Sequence, residues 1–303
     1  MAFRKPLPPT AAGALSTAAA MQHGVTRAQL RNPELAAPFR GVRLAASGFD
    51  AEDPVQLARA YLPKLPLGSV FSHHTAASVW GLPLPDGTRP PSLHVTTPPP
   101  GRARRGVGVI GHRSVLSETE MAVRFGLPVT TPARTWCDLA NLIDVPGLVA
   151  VGDRLLWFQD PLCTKRELED AVDVTRAGVR SLRAALPLLS DRSQSHRESM
   201  LRVLIVLSGY PFPSPSPNHE LTLRPGGRRV RLDLAFPTQQ LALEYEGDHH
   251  RTNRTQWRID IRRIDDLEAA GWHIMRVTDD DLRDGADLLD RLAVRLRGRG
   301  WRP

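Results

Sequence analysis

Three carboxylates in the C-terminal third stand at spacings suited to holding a hard cation. Arg231-Leu-Asp-Leu-Ala-Phe and Leu241-Ala-Leu-Glu-Tyr-Glu both alternate with period two, and Pro237-Thr-Gln-Gln between them reads as a four-residue hairpin loop. Leu232, Leu234 and Phe236 are expected to share one face of the first strand. Leu241, Leu243 and Tyr245 share one face of the second, which leaves Ala242, Glu244 and Glu246 on the other. If Phe236 pairs with Leu241, Asp233 lies opposite Glu244, with Cβ atoms about 4.5–5.5 Å apart. Two anions that close repel each other unless a cation sits between them, and hard oxygen donors suit Mg2+ or Mn2+. Glu246 lies one pleat further along, and Gly247 permits a turn that brings Asp248, His249 and His250 to the sheet edge. The competing reading pairs Asp233 with Arg229 or Arg231 and leaves Glu244 and Glu246 on a solvated face. It does not explain why strands from a buried sheet carry three acids aimed at one place.

The elements around the hairpin supply further polar groups. An apolar helix begins near Ser195 with Glu198 in its first turn. After the hairpin, a helix from about Thr252 to Ala270 packs by Trp257, Ile261, Ile264 and Leu267. It carries Arg254, Arg258 and Arg262 in a row that spans about 12 Å, enough to follow successive backbone phosphates. A solvated face compensated by Asp260, Asp265 and Asp266 is the alternative. The polar stretch from Ser190 to His196 marks a boundary.

Charge points the same way as the arginine row. The chain has 303 residues, a net charge of +8 and a sequence pI near 10.4, a balance that favours polyanionic partners. Lysine occurs only at Lys5, Lys64 and Lys165, so the excess is almost all arginine, as a GC-rich genome would also produce. Its position is more telling: through Ser47, six basic residues face the single acid Glu34. Residues 11–22 read as a helix. Gly24 suits a turn and Thr26 an N-cap, and a second helix would then send Arg27, Gln29 and Arg31 outward while Leu30 enters a small core. Pro33 and Pro38 end it, and a short strand from Phe39 offers Arg40 and Arg43 as a wing.

Two cysteines exclude a disulfide framework and a cysteine zinc cluster, and no apolar run is long enough to span a membrane. Pro6, Pro8 and Pro9 break the weak likeness of the N-terminus to an export signal, so a cytoplasmic location is expected. His73 and His74 precede a helix that Gly81 ends. With no third ligand at suitable sequence spacing, they are expected to cap or pack. Thr131 and Pro132 mark a helix start, with Asp138 four residues beyond Arg134 as its partner.

Two resemblances follow. Gly24-Val-Thr-Arg-Ala-Gln-Leu-Arg, Arg40-Gly-Val, Ser72-His-His-Thr-Ala-Ala-Ser-Val-Trp-Gly-Leu and Thr131-Pro-Ala-Arg-Thr-Trp-Cys-Asp-Leu-Ala occur in the order seen in AbiEi-type antitoxins, over roughly residues 10–185. That resemblance implies a winged helix-turn-helix at 1–50, a small α/β domain at 51–190, operator DNA as partner and a nucleotidyltransferase toxin as a second partner. Asp233 … Glu244-Tyr-Glu-Gly-Asp-His-His, with Glu198, Gln256-Trp-Arg-Ile-Asp-Ile-Arg-Arg and Ala270-Gly-Trp, resembles the PD-(D/E)XK superfamily in its branch similar to very-short-patch-repair endonucleases. This second resemblance implies a restriction-endonuclease-like mixed sheet flanked by helices at 191–303. It also implies phosphodiester hydrolysis in which Asp233 and Glu244 hold Mg2+ or Mn2+, Glu246 and Glu198 complete the site, and His250 assists proton transfer. Glu246 stands where the superfamily has a lysine. The charge that lysine would supply must come from elsewhere, or the domain is a non-catalytic regulator.

Overall fold

The computed structural model describes residues 13–85, 92–172, 177–223, 227, 229–246 and 254–303. The chain folds as two compact units: residues 1–143 with 170–179, and residues 144–169 with 180–303.

Unit 1 opens with strand β1 (Ala14–Ser16), helix α1 (Thr17–Gln22), β2 (Leu35–Ala36) and β3 (Val42–Ala45), the strands forming a sheet in the order β1-β3-β2. The expected recognition helix is absent: Gln29–Arg31 is a single 3-10 turn. Its start signal is genuine, since Thr26 Oγ1 accepts the Gln29 N–H and Gln29 Oε1 accepts the Thr26 N–H, a reciprocal cap. Its length is cut by Pro33, which disfavours helical backbone at Asn32; Asn32 has ψ 129°. Leu30 does enter a small core with Leu15, Ala20 and Val25.

Helix α2 (Pro54–Tyr61) leads into β4 (Val70–Phe71), α3 (His73–Trp80), β5 (Leu93–Thr97), β6 (Arg105–Gly106), β7 (Val109–Arg113), β8 (Met121–Arg124), β9 (Leu127–Thr130) and α4 (Pro132–Leu139). The six strands from β4 to β9 form one sheet, β6-β7-β5-β4-β9-β8, with β5 and β7 parallel. Two helix ends follow the sequence signals: Gly81 caps α3 in the left-handed region at φ +69°, and Thr131 caps α4 ahead of Pro132; the start of α3 does not, since Ser72 and not Thr75 stands at its N-cap and His73 and His74 lie inside the helix. Arg134 pairs with Asp138 at 2.8 Å as expected, and with Glu120 at 3.0 Å. One core joins Ala14, Phe39 and Val42 to Phe71, Val95 and Val129, so residues 13–50 do not form a separate domain.

In unit 2, α5 (Val145–Leu156) packs against α8 (His196–Leu207); α6 (Lys165–Ala171) and α7 (Val179–Ala185) span the sequence boundaries between the units. The buried Asp153 carboxylate of α5 accepts from Arg202 at 2.7 Å, Ser199 at 2.7 Å and the Ser190 amide at 2.7 Å. These bonds draw α5 into this unit, so the expected boundary near residue 190 falls inside it. Strands β10 (Ser216–Thr222), β11 (Arg229–Phe236), β12 (Leu241–Tyr245) and β13 (His273–Val277) form a mixed sheet in that order, with β12 and β13 parallel. Helix α9 (Arg254–Ala269) precedes β13, and α10 (Asp279–Arg283) and α11 (Gly285–Gly298) follow it. One sheet face packs Leu234, Phe236, Leu241 and Leu243 on Leu201, Ile205, Leu288 and Leu292. Leu232 instead packs with Val230, Ala235, Ala242, Leu267 and Trp272, so the expected grouping with Leu234 and Phe236 does not hold. The β10–β11 ladder runs from Thr222↔Arg229 to Ser216↔Ala235 but skips the step between Asn218 and Asp233, where Asn218 has φ +45°.

Candidate functional site

The β11–β12 hairpin has the expected register: Phe236 pairs with Leu241, Ala235 with Ala242 and Leu234 with Leu243. The next step carries Asp233 towards Glu244. The Asp233 carboxylate accepts the Tyr245 N–H at 3.0 Å. Burial, and then the negative charge of Glu244, push the Asp233 carboxyl from its ordinary 3.8 up to about 6. The Tyr245 N–H, then the positive charges of Arg263 and Arg231, oppose this rise.

Glu198 reaches the same place from the first turn of α8. Ser195 caps that helix by accepting the Glu198 N–H at 3.1 Å. One oxygen, Glu198 Oε2, accepts from the Gln194 N–H at 3.0 Å and from Asn218 Nδ2 at 2.6 Å. Asn218 is buried and stands across from Asp233 where the ladder is interrupted. Burial raises the Glu198 carboxyl; its hydrogen bonds oppose this, and the Asp233 charge adds to it. Glu198, Asp233 and Glu244 therefore form one electrostatic cluster.

Glu244 has a partner that sequence reasoning missed. Arg263 of α9 donates to both its oxygens at 2.9 Å and to the Arg231 carbonyl at 2.6 Å, a forked pair across helix and sheet. Glu246 is turned outward, half exposed, and pairs with Arg276 of β13 at 3.0 Å. His250 lies outside the described residues. The side chains of Arg254 and Arg258 do too, although their backbone is helical. Arg262 is exposed.

The N-terminal basic residues separate into two groups. Arg27, Arg31 and Arg40 are exposed. Gln29 is occupied by the Thr26 cap, and Arg43 donates to the Leu30 carbonyl at 2.8 Å and the Val42 carbonyl at 2.7 Å. Both therefore act as supports of the turn, and neither projects as a reader of bases.

The donor set fits a hard divalent cation. Asp233 and Glu198 are largely buried and repel each other, and each Glu244 oxygen keeps a lone pair beyond its bond to Arg263.

No family model matches the chain. Two uncharacterized proteins of Mycobacterium tuberculosis, MT2308 and Rv2248, are each 28% identical to it over 275 residues, which cover 88% of this chain and 93% of theirs. The crystal structure of the RV2827C protein from Mycobacterium tuberculosis is similar at a TM-score of 0.40 and 17% identity, covering 69% of this chain and 83% of that one. The chain is a mixed α/β protein of several sheets in two units, and no described helix is long and apolar enough to cross a membrane.

Proposed function

We propose that unit 2 is a divalent-metal-dependent phosphodiester hydrolase acting on DNA. The observation that carries this reading is the electrostatic coupling of Glu198 to Asp233 and of Asp233 to Glu244 beside the two central strands of the sheet, with the Asp233 carboxyl pushed up to about 6 by burial and by Glu244. Asp233 and Glu244 would hold Mg2+ or Mn2+, with Glu198 extending the site. When bound, the ion supplies Lewis-acid stabilisation of the charge that builds on a phosphoryl oxygen. Arg263 places a fixed cation at Glu244, in the role that the absent motif lysine leaves open. Glu198, clamped by Gln194 and Asn218, orients polar groups above Asp233 and is suited to hold a proton there. The exposed Arg262, with the helical positions Arg254 and Arg258, offers a basic edge for the phosphate backbone.

A second reading, a non-catalytic DNA-binding regulator of the antitoxin kind with a nucleotidyltransferase as partner, is favoured by one observation. Glu244 and Glu246 both already carry arginine partners. Incubation of plasmid DNA with the purified full chain in Mg2+ and in Mn2+ separates the two: cleavage abolished by EDTA supports the hydrolase, and DNA retention without cleavage supports the regulator.

A further inference from the structure

Unit 1 contains a second cluster of ligating side chains, chemically unlike the first. His73 opens α3, His94 lies in β5 and His112 in the neighbouring parallel strand β7. One ring nitrogen from each lies within 4.8 Å of the others, a grouping that sequence spacing around His73 and His74 does not show. His94 Nδ1 and His112 Nε2 are 3.0 Å apart and share a hydrogen bond, whose proton a metal ion would displace. Two nitrogens on one tetrahedral ion, each at 2.0–2.1 Å, stand about 3.3 Å apart, so this pair is already close to a chelating separation. The His73 and His112 rings stack at 3.7 Å. His73 is held at φ +51°, a left-handed conformation that a non-glycine residue keeps only when its surroundings impose it.

The surroundings also hold the rings in a ligating form. Ser72 Oγ lies 2.8 Å from His73 Nδ1 and accepts the Thr96 hydroxyl at 2.7 Å, an outer shell of the kind that orients a metal-bound imidazole. Burial disfavours the protonated form of all three rings. A cleft of about 680 Å³ adjoins His73 and His112 and is lined by Glu120, Arg134 and Asp138 among others.

We propose that His73, His94 and His112 form a three-imidazole site for a borderline transition-metal ion, Zn2+ foremost, with its remaining coordination position open to the adjoining cleft. Imidazole-only donors select Zn2+ and its neighbours over Mg2+ or Ca2+, so this site is distinct in ligand chemistry from the carboxylate cluster of unit 2.

The test uses Co2+ as a spectroscopic stand-in for Zn2+, added to the chelator-stripped full chain with Mg2+ in excess. One equivalent is expected to give the intense visible bands of tetrahedral Co2+, displaced by Zn2+. His112→Gln and His73→Gln each weaken Co2+ binding at least about 100-fold. Ser72→Ala weakens it about 10- to 100-fold. Asp233→Asn leaves the bands in place, so the outcome is independent of the hydrolase reading. Absence of tetrahedral bands in the wild-type chain overturns the proposal whatever the variants do. So does their persistence in His112→Gln, or their loss in Asp233→Asn.

Discussion

Replacing Asp233 with Asn should stabilise unit 2 in the absence of metal. The Asp233 carboxyl titrates near 6 in the folded chain against an ordinary 3.8, so folding favours its protonated form. The associated stabilisation is full below about 3.8 and is lost as the pH rises through about 6. That interval corresponds to a penalty on the order of 3 kcal/mol at neutral pH. Asn carries no charge and keeps an oxygen for the Tyr245 N–H. Allowing for a weaker hydrogen bond to a neutral acceptor, the variant should gain about 2 kcal/mol at pH 7.5 in EDTA. For a unit of roughly 150 residues this is a rise of about 4–8 °C in Tm, and the rise should vanish near pH 4. Saturating Mg2+ reverses the order, because the wild type gains about 2.7 kcal/mol at a hundredfold excess over Kd and the variant does not. Thermal melts in EDTA and in Mg2+ read this directly, with hydrogen exchange in β11 and β12 assigning the transition to unit 2. Destabilisation by Asp233→Asn in both conditions would refute the reasoning and make Asp233 a structural acceptor.

Asp153→Ala should destabilise unit 2 by about 3–5 kcal/mol, since it strands the Arg202 guanidinium in the α5–α8 contact; denaturant melts check this. Arg263→Gln should lower stability by about 1–3 kcal/mol in EDTA and tighten Mn2+ binding, because it frees Glu244; unchanged affinity by calorimetry would show that arginine and ion do not compete. Arg27→Ala with Arg31→Ala should flatten the log–log salt dependence of DNA binding by about 1.8 if both exposed side chains meet phosphates, and an unchanged slope would remove unit 1 from the DNA interface.

What could be read from the sequence follows the range of the forces involved. The β11–β12 register was legible because period-two alternation and a four-residue turn leave one pairing that keeps Leu234, Phe236, Leu241 and Leu243 together. The caps at Thr131 and Gly81 were legible because they are local. Strand β10 was hidden by its proline-rich approach, and with it Asn218, which anchors Glu198. In α9 the spacing of Arg254, Arg258 and Arg262 picks out a face, but only the packing of α9 on the sheet reveals that Arg263 meets Glu244. The histidine site was invisible because its members come from one helix and two strands, with no local spacing to betray them. The helix-turn-helix reading failed at the point where two local signals compete. The Thr26 cap starts a turn, and Pro33 ends it before a helix can form.

The most direct test of the hydrolase reading is single-turnover cleavage of labelled DNA by the full chain in Mg2+ and Mn2+, beside Asp233→Asn. Metal-dependent cleavage by the wild type, slowed at least about 100-fold in the variant, is the expected result. Absence of cleavage in both metals, with no metal-dependent shift in the wild-type melt, would contradict it.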